Sequence, residues 1–345
     1  MTQINVGIIG FGYWGPNLTR NLNELPTANV VAVADLREER LNQIKSAYPG
    51  ITITKNYKEL FNMGLDAVVI ATPPASHYAL AKECLENGLH VLVEKPLTLS
   101  SRDGEDLIEI ANQKNRILMV GHTFEYNPAV RALRDIITSP DFGDIYYVNM
   151  VRVNLGLYQR NMNVMWDLAP HDISILLYLL GTDPSSVAAQ GATCVHLDNH
   201  DVAYLHLKFP NNITAQIHVS WLDPNKVRRI TVVGSKKMVV YDDIEPLEKL
   251  KIYDKGVEAP AYATSFSDFQ FSYRYGDVVI PYVKFEEPLR VECRHFVDCI
   301  VNSKTPQSDG EVGTRVVRIL EALDHSLHNE GVSVKIQNGT FVPTM

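Results

Sequence analysis

The sequence predicts an α/β protein of two domains. The first is built on a doubly wound parallel sheet. The second is an α+β unit with a large, open, mostly antiparallel sheet. Three observations carry this expectation. A chain of 345 residues exceeds the ordinary size of one domain. Over residues 1–122, short apolar runs alternate with amphipathic helical segments. From residue 123 onward, strand-like runs follow one another with few helices between them. The expected boundary therefore separates residues 1–122 from 123–345.

In chain order, Asn5 to Ile9 reads as a buried strand that ends in Gly10-Phe11-Gly12-Tyr13-Trp14-Gly15, and Asn17 to Leu25 as a helix. Val30 to Ala34, Ala67 to Ala71, His90 to Val93 and Ile117 to Val120 are further apolar strands. Helices lie at Ser76 to Glu86, closed by Gly88, and after Ser100 or Ser101. Apolar strands of this kind belong to a sheet covered on both faces, which binds ligands at the C-terminal strand ends. Those ends are Gly10, Asp35, Thr72, Glu94 and Gly121.

Beyond Gly121, Tyr126 to Ile137 and Met165 to Leu180 are helical in pattern, with Ile145 to Asn154 as a strand between them. Strand-like stretches follow from Ala188 to Tyr253, with a hairpin turn at Phe209-Pro210-Asn211-Asn212-Ile213. Residues 255–288 read as a long ordered loop, and Leu289 to Asn302 and Val312 to Asn329 as helices. The sheet's many alternating Val, Ile, Tyr and Trp positions suggest one face against helices and the other against a second copy of the chain.

Charge and composition narrow the function. Forty acidic against 32 basic residues give a net charge of −8, which disfavours nucleic acid or an anionic membrane as a general partner. The longest apolar run, Ile173 to Leu180, is too short to span a bilayer. The N-terminal segment lacks the basic region of a signal peptide, and its apolar stretch leads into the glycine loop. Cys84, Cys194, Cys293 and Cys299 are scattered with no C-x-x-C pair, so the expected setting is a reducing cytoplasm. His196 and His200, or His206 and His218, form pairs without a third ligand, and no metal is expected.

The glycine loop has a physical meaning in this position. Gly10 permits the tight turn, Gly12 lets the backbone approach a pyrophosphate, and Gly15 lets the helix pack on the strand. The helix N-terminus adds free N–H groups and positive partial charge. Twenty residues after Gly15, Asp35 stands at the end of the second strand, placed to accept from an adenosine ribose. Its charge would repel a 2′-phosphate, so NAD is expected over NADP; Arg37 either stacks near the adenine or accommodates such a phosphate.

Two sets of residues carry reactive chemistry. Glu94-Lys95-Pro96 delivers an ammonium to the edge of a buried sheet, where it could stabilise a developing alkoxide. In Trp166-Asp167-Leu168-Ala169-Pro170-His171-Asp172, Asp167 is expected to cap a helix and to lie on one face with His171. A helix N-terminus would keep that imidazole neutral, ready to act as a base.

Together, Gly10-x-Gly12-x-x-Gly15, Asp35, Thr72-Pro73-Pro74-x-x-His77, Glu94-Lys95-Pro96 and Asp167-x-x-x-His171 resemble the glucose–fructose oxidoreductase/inositol dehydrogenase (Gfo/Idh/MocA) family over nearly the whole chain. The resemblance implies a Rossmann domain, a C-terminal α/β domain with an open sheet, assembly as dimers or tetramers, and NAD(P)-dependent oxidation of sugars or cyclitols. It makes Lys95 and His171 the catalytic pair, supported by Asp167. Phe11, Tyr13, Trp14, Thr72, Pro73, His77 and Glu94 join the glycines, Asp35, Arg37 and Lys95 around the dinucleotide. Tyr126, Arg152 and Asn154 join Lys95, Asp167 and His171 as substrate contacts, although Gly121 to Pro128 departs from the commoner Arg-containing form.

Gly12-Tyr13-Trp14-Gly15-Pro16-Asn17 and the stretch from Tyr275-Gly276-Asp277 to His295-Phe296 are similar to bacterial sugar-nucleotide 3-dehydrogenases. That branch oxidises C3 of UDP-N-acetylglucosamine or its uronic acid in polysaccharide and lipid A biosynthesis. Arg152, Arg160, Arg228 and Arg274 are candidate diphosphate contacts. The alternatives are a free sugar or inositol dehydrogenase and a non-catalytic NAD-dependent sugar sensor.

Overall fold

A computed structural model describes residues 3–156, 158, 162–195, 199–258, 272–337 and 340–343. The chain divides into two compact units, Met1–Asn127 with Glu286–Glu321, and Pro128–Phe285 with Ala322–Met345.

The first unit opens with β1 (Ile4–Ile9), α1 (Gly15–Asn23), β2 (Ala28–Ala34), α2 (Glu38–Ala47), β3 (Thr52–Thr54) and β4 (Ala67–Ile70). It continues with α3 (His77–Glu86), β5 (His90–Glu94), α4 (Ser101–Lys114) and β6 (Leu118–Gly121). The six strands form one parallel sheet in the order β3-β2-β1-β4-β5-β6. The order reverses beside β1, which puts the ends of β1, β2 and β4 at the topological switch point. Val68, Val69 and Ile70 of β4 and Val91 and Val93 of β5 are fully buried, as strands covered on both faces must be.

The second unit contains α5 (Pro128–Thr138), β7 (Ile145–Leu155), α6 (Val164–Leu180), β8 (Ser186–Ala192), β9 (Val202–Lys208) and β10 (Thr214–Ser220). Next come β11 (Leu222–Gly234), β12 (Met238–Asp242), β13 (Leu250–Glu258) and β14 (Ser272–Val279). In chain order α7 (Pro288–Asn302), which belongs to the first unit, and α8 (Gly310–His328), which passes from the first unit into the second at Ala322, come next, and then β15 (Val334–Gln337) and β16 (Thr340–Pro343). Ten strands form a sheet in the order β14-β13-β12-β11-β7-β10-β9-β8-β15-β16. Only β7 and β10 pair parallel among the paired strands described. In β9 the alternation is clean: Ala203, Leu205 and Leu207 are buried while Tyr204 and His206 face outward. The expected hairpin turn joins β9 to β10, with Asn211 and Asn212 both at positive φ.

Three expectations need correction. The second unit does not take the whole chain after residue 122, because Glu286–Glu321 returns to the first. Helix α7 buries Leu289, Val291, Cys293, Phe296 and Val297 in the same core as Val6, Ile8, Leu18 and Leu22. Nothing local in an amphipathic helix names the core it joins. The presumed loop at 255–288 contains the end of β13 and all of β14, which pair antiparallel; residues 259–271 lie outside the described set. Gly276 and Asp277 weaken the strand signal of β14, whose backbone is held on one side by β13. Finally, α6 begins at Val164, and its cap is Asn163, whose Oδ1 accepts from Trp166 N at 3.1 Å. Asp167 therefore sits inside the first turns, and His171 lies two turns in, beyond the reach of the N-terminal dipole. Pro170 lies within the helix and withholds the N–H that Trp166's carbonyl would otherwise receive.

Candidate active site

The strand ends of the first unit gather the expected dinucleotide residues. Gly10 has φ +97°, and a Cβ there would stand 2.6 Å from Ala71 O, so only glycine fits. At Gly12 a Cβ would point into open space, its nearest neighbour Arg37 Nη2 at 3.8 Å. This bare backbone is the cradle an approaching pyrophosphate requires. Helix α1 starts at Gly15 with no side-chain cap from Trp14, leaving its first N–H groups to the loop. Phe11 is buried, whereas Tyr13 is 80% exposed, edge-on to Trp14 at 5.4 Å.

Asp35 follows β2 and is nearly buried. Its Oδ2 accepts from Phe11 N at 2.7 Å, and its Oδ1 from Arg37 N at 2.9 Å and Arg37 Nε at 3.2 Å. Burial alone would raise this carboxyl, but the hydrogen bonds from Arg37 and Phe11 outweigh it and hold the pKa below the usual aspartate value. Arg37 therefore closes over the Asp35 carboxylate. Thr72 Oγ1 accepts from Ser76 Oγ at 2.8 Å, and Pro73 leads into a short 3₁₀ turn, Pro74–Ser76. His77, fully buried, spans two strand ends: Nδ1 lies 2.8 Å from Pro96 O and Nε2 2.8 Å from Thr72 O. Burial pushes its imidazole pKa down. His77 thus ties the segment carrying Lys95 to the end of β4.

Lys95 emerges from β5 half-buried. Glu94 before it turns inward and is only 8% exposed. Burial pushes its carboxyl up to about 7, and Lys95's charge opposes the rise. Tyr126 is not placed to meet a substrate: it is fully buried, and its hydroxyl is 2.9 Å from Ser308 Oγ, which in turn donates to Val120 O. An aromatic ring at the core boundary needs such a partner for its hydroxyl, and Ser308 supplies it.

In the second unit, Asp167 and His171 lie four apart on α6 as expected. Asp167 Oδ2 accepts from Trp221 Nε1 at 3.0 Å. Trp221, buried between β10 and β11, is a site residue that sequence reasoning missed; a buried indole N–H requires an acceptor, and that requirement was the available signal. Asp324 of α8 braces the helix start, accepting from Asn163 Nδ2 at 3.0 Å and Trp166 Nε1 at 3.2 Å.

Arg152 is not offered to a substrate phosphate. It is 4% exposed and makes a bidentate pair with Asp172, Nε to Oδ2 at 2.7 Å and Nη2 to Oδ1 at 3.0 Å. Arg228 and Arg274 have carboxylate neighbours in Asp243 and Asp254, and Arg160 lies outside the described residues. Asn154 is half-buried on β7, its amide beside Gly156. Among the described residues, no three His, Cys, Asp or Glu side chains are grouped to hold a metal ion, and no helix is long and apolar enough to cross a membrane.

Comparison with known proteins gives this arrangement a context. A family model described as an oxidoreductase family with an NAD-binding Rossmann fold matches residues 4–122. The model of the GFO/IDH/MocA C-terminal domain matches residues 130–240. The chain is 25% identical over 323 residues to the UDP-N-acetylglucosamine 3-dehydrogenase of Acidithiobacillus ferrooxidans, covering 92% of this chain and 95% of that protein. It is 26% identical to the scyllo-inositol 2-dehydrogenase (NAD(+)) of Bacillus subtilis, covering 88% of each. Among solved structures, a putative oxidoreductase from Magnetospirillum magnetotacticum aligns with a TM-score of 0.78 at 30% identity, over 93% of this chain and 100% of that one.

Proposed function

The chain belongs to the Gfo/Idh/MocA family of NAD-binding oxidoreductases, and from that premise we propose that it is a sugar dehydrogenase whose substrate is a UDP-N-acetylated sugar oxidised at C3. One observation carries the dehydrogenase reading. An ammonium, Lys95, stands at the C-terminal edge of an NAD-binding sheet, and α6 carries a carboxylate and an imidazole four residues apart, the Asp167 carboxylate held by Trp221. In this reading His171 takes the proton of the substrate hydroxyl. Lys95 stabilises the alkoxide that forms, and Asp167, fixed by the indole N–H, orients the imidazole. Bound NAD would supply the hydride acceptor for that carbon. In ketosugar reduction the same groups act with their roles reversed. Glycines 10, 12 and 15, Asp35 and Thr72 hold the dinucleotide, and His77 fixes the loop that presents Lys95. Intact Lys95, Asp167 and His171 weigh against a sensor without catalysis.

The choice of a nucleotide sugar is supported by the Acidithiobacillus relative and by the Tyr13-Trp14-Gly15-Pro16-Asn17 stretch. A free cyclitol is the second reading, favoured by the Bacillus inositol dehydrogenase and by the enclosure of Arg152, which removes one diphosphate cation. A turnover screen of UDP-sugars, free hexoses and inositols with NAD separates them. UDP alone should compete with substrate and not with NAD. Turnover of inositol without any competition by UDP would leave the dehydrogenase and discard the nucleotide. The outward sheet face, which carries Tyr147, Tyr204 and Tyr273, is proposed as the contact between copies in a homodimer or homotetramer. Charged substitutions at Tyr204 and Tyr273 should lower the mass seen by light scattering.

A further inference from the structure

Behind Lys95 the first unit buries more acid than it pairs. Glu94 lies opposite Gly121 in the β5–β6 register, and a Cβ on Gly121 would come within 3.3 Å of Glu94 Oε2, so the missing side chain makes room for the carboxyl. From α7 comes Glu292, 1% exposed, whose Oε2 accepts from Thr123 Oγ1 at 2.6 Å and whose Oε1 has no hydrogen-bond partner among the described residues. His122, next to Gly121, is fully buried, and neither ring nitrogen has a partner among the described residues. Glu125 and Tyr126, on the 3₁₀ turn Thr123–Tyr126, and Cys293 of α7 are further titratable groups around the pair. Lys95 is the cation whose charge acts on both Glu94 and His122.

These groups do not share one protonation behaviour. Burial, reinforced by Glu94 and Glu125, keeps Glu292 protonated well above the ordinary glutamate range. Burial and Lys95 push His122 down to about 3, so it is neutral. The Cys293 thiol is likewise raised by burial and stays protonated. Glu94 sits at about 7, poised between its two forms at neutral pH.

We infer that Glu94 gives up a proton when oxidised cofactor binds, so that this buried carboxyl set registers the charge of the nicotinamide and distinguishes NAD⁺ from NADH. The inference rests on the reading that Lys95 stands beside the nicotinamide. A positive charge brought near a buried carboxyl favours the carboxylate. The Glu94 O–H bond breaks, its electron pair stays on the carboxylate, and the proton leaves to buffer. The neutral dihydronicotinamide ring exerts no such pull. A downward shift of one unit or more from about 7 releases roughly 0.4 proton per site at pH 7.

The test is calorimetric titration of the full chain at pH 7 in two buffers of different ionisation enthalpy, first with NAD⁺ and then with NADH. The expected result is a release of roughly 0.4 proton with NAD⁺ and near zero with NADH. Glu94→Gln should abolish the release. Glu292→Gln replaces a carboxyl that is already uncharged, so the release should stay close to the wild-type value. In wild-type protein, infrared difference spectra should lose a protonated-carboxyl band on NAD⁺ binding and keep it on NADH binding. Heats independent of buffer, or a release that survives in Glu94→Gln and so belongs to Lys95 or another group, would overturn the inference. Binding of NAD⁺ without proton release defeats this inference alone. Absence of hydride transfer from every sugar defeats the dehydrogenase reading and leaves the proton count standing.

Discussion

Each unit buries carboxyl groups, and the two do so in opposite ways. On α6, Asp172 meets Arg152 in a two-pronged pair closed off from water. Behind Lys95, Glu94 and Glu292 are both buried, Glu292 accepting from the Thr123 hydroxyl and Glu94 from the Lys95 backbone N–H, and burial lifts both pKa values. A satisfied buried pair is mechanically stiff and chemically quiet, and here it fixes the helix turn that bears His171. An under-paired buried carboxyl is sensitive to any charge brought near it. The contrast separates residues that hold the site from residues that respond to what enters it.

The largest effects should come from the groups placed at the chemistry. Lys95→Ala and His171→Ala should each lower kcat by roughly 10²–10⁴-fold, typical of a positioned proton-transfer or charge-stabilising group. NAD affinity, read by fluorescence titration, should change far less with His171→Ala. Near-normal turnover in either variant removes that residue from the mechanism.

Breaking the stiff pair should cost nearly as much, in stability rather than in chemistry. Arg152→Ala leaves the Asp172 carboxylate buried without its partner, and denaturant unfolding should show a loss of about 3–5 kcal/mol. Glu292→Gln, at an equally buried site, should cost far less, because the carboxyl is already uncharged in the folded protein. Equal losses at the two sites would erase the distinction drawn above.

Glu94 sharpens the comparison through pH. Its pKa rises on folding from 4.5 to about 7, so between those values the folded chain holds more protons than the unfolded chain. Stability must then fall as pH increases through that window and level off above it. Glu94→Gln removes this dependence. It should be more stable than wild type by about 1–3 kcal/mol at pH 8 and nearly equal to it at pH 4. A thermal-unfolding series across pH checks both ends.

The smallest expected effect is at Trp221. Trp221→Phe keeps the ring packing and removes the hydrogen bond to Asp167. That bond is worth about 1–2 kcal/mol, so kcat should fall by roughly 5–30-fold with little change in KM for NAD. A larger loss in KM than in kcat would assign Trp221 to binding instead of to orientation.

Much of the first unit was legible in the sequence, because its rules are local. The strand that ends at Gly10, the glycine spacing and Asp35 all fall within a few residues of the features that explain them. The Asp167–His171 spacing was visible for the same reason. What escaped depends on long-range partners. Asn163 takes the helix cap from Asp167 because its amide is also held by Asp324, far along the chain. Arg152 looks like a phosphate ligand until Asp172 is seen to occupy it. Tyr126 is drawn into the core by Ser308, and α7 joins the first unit through an apolar face that would suit either core. Charge and amphipathicity state what a segment can bury or bind, and only the tertiary fold states with whom.

The central claim, hydride transfer from a sugar carbon with His171 taking the hydroxyl proton, has a direct measurement. UDP-N-acetylglucosamine carrying deuterium at C3 is incubated with NAD and the protein, and the reduced cofactor is examined by mass spectrometry. The account predicts one deuterium in each NADH formed by the wild-type enzyme, and an initial rate lower by at least roughly 10²-fold in His171→Ala. Reduced cofactor without deuterium would move the oxidised position away from C3. No reduced cofactor from any sugar or cyclitol tested would contradict the dehydrogenase itself.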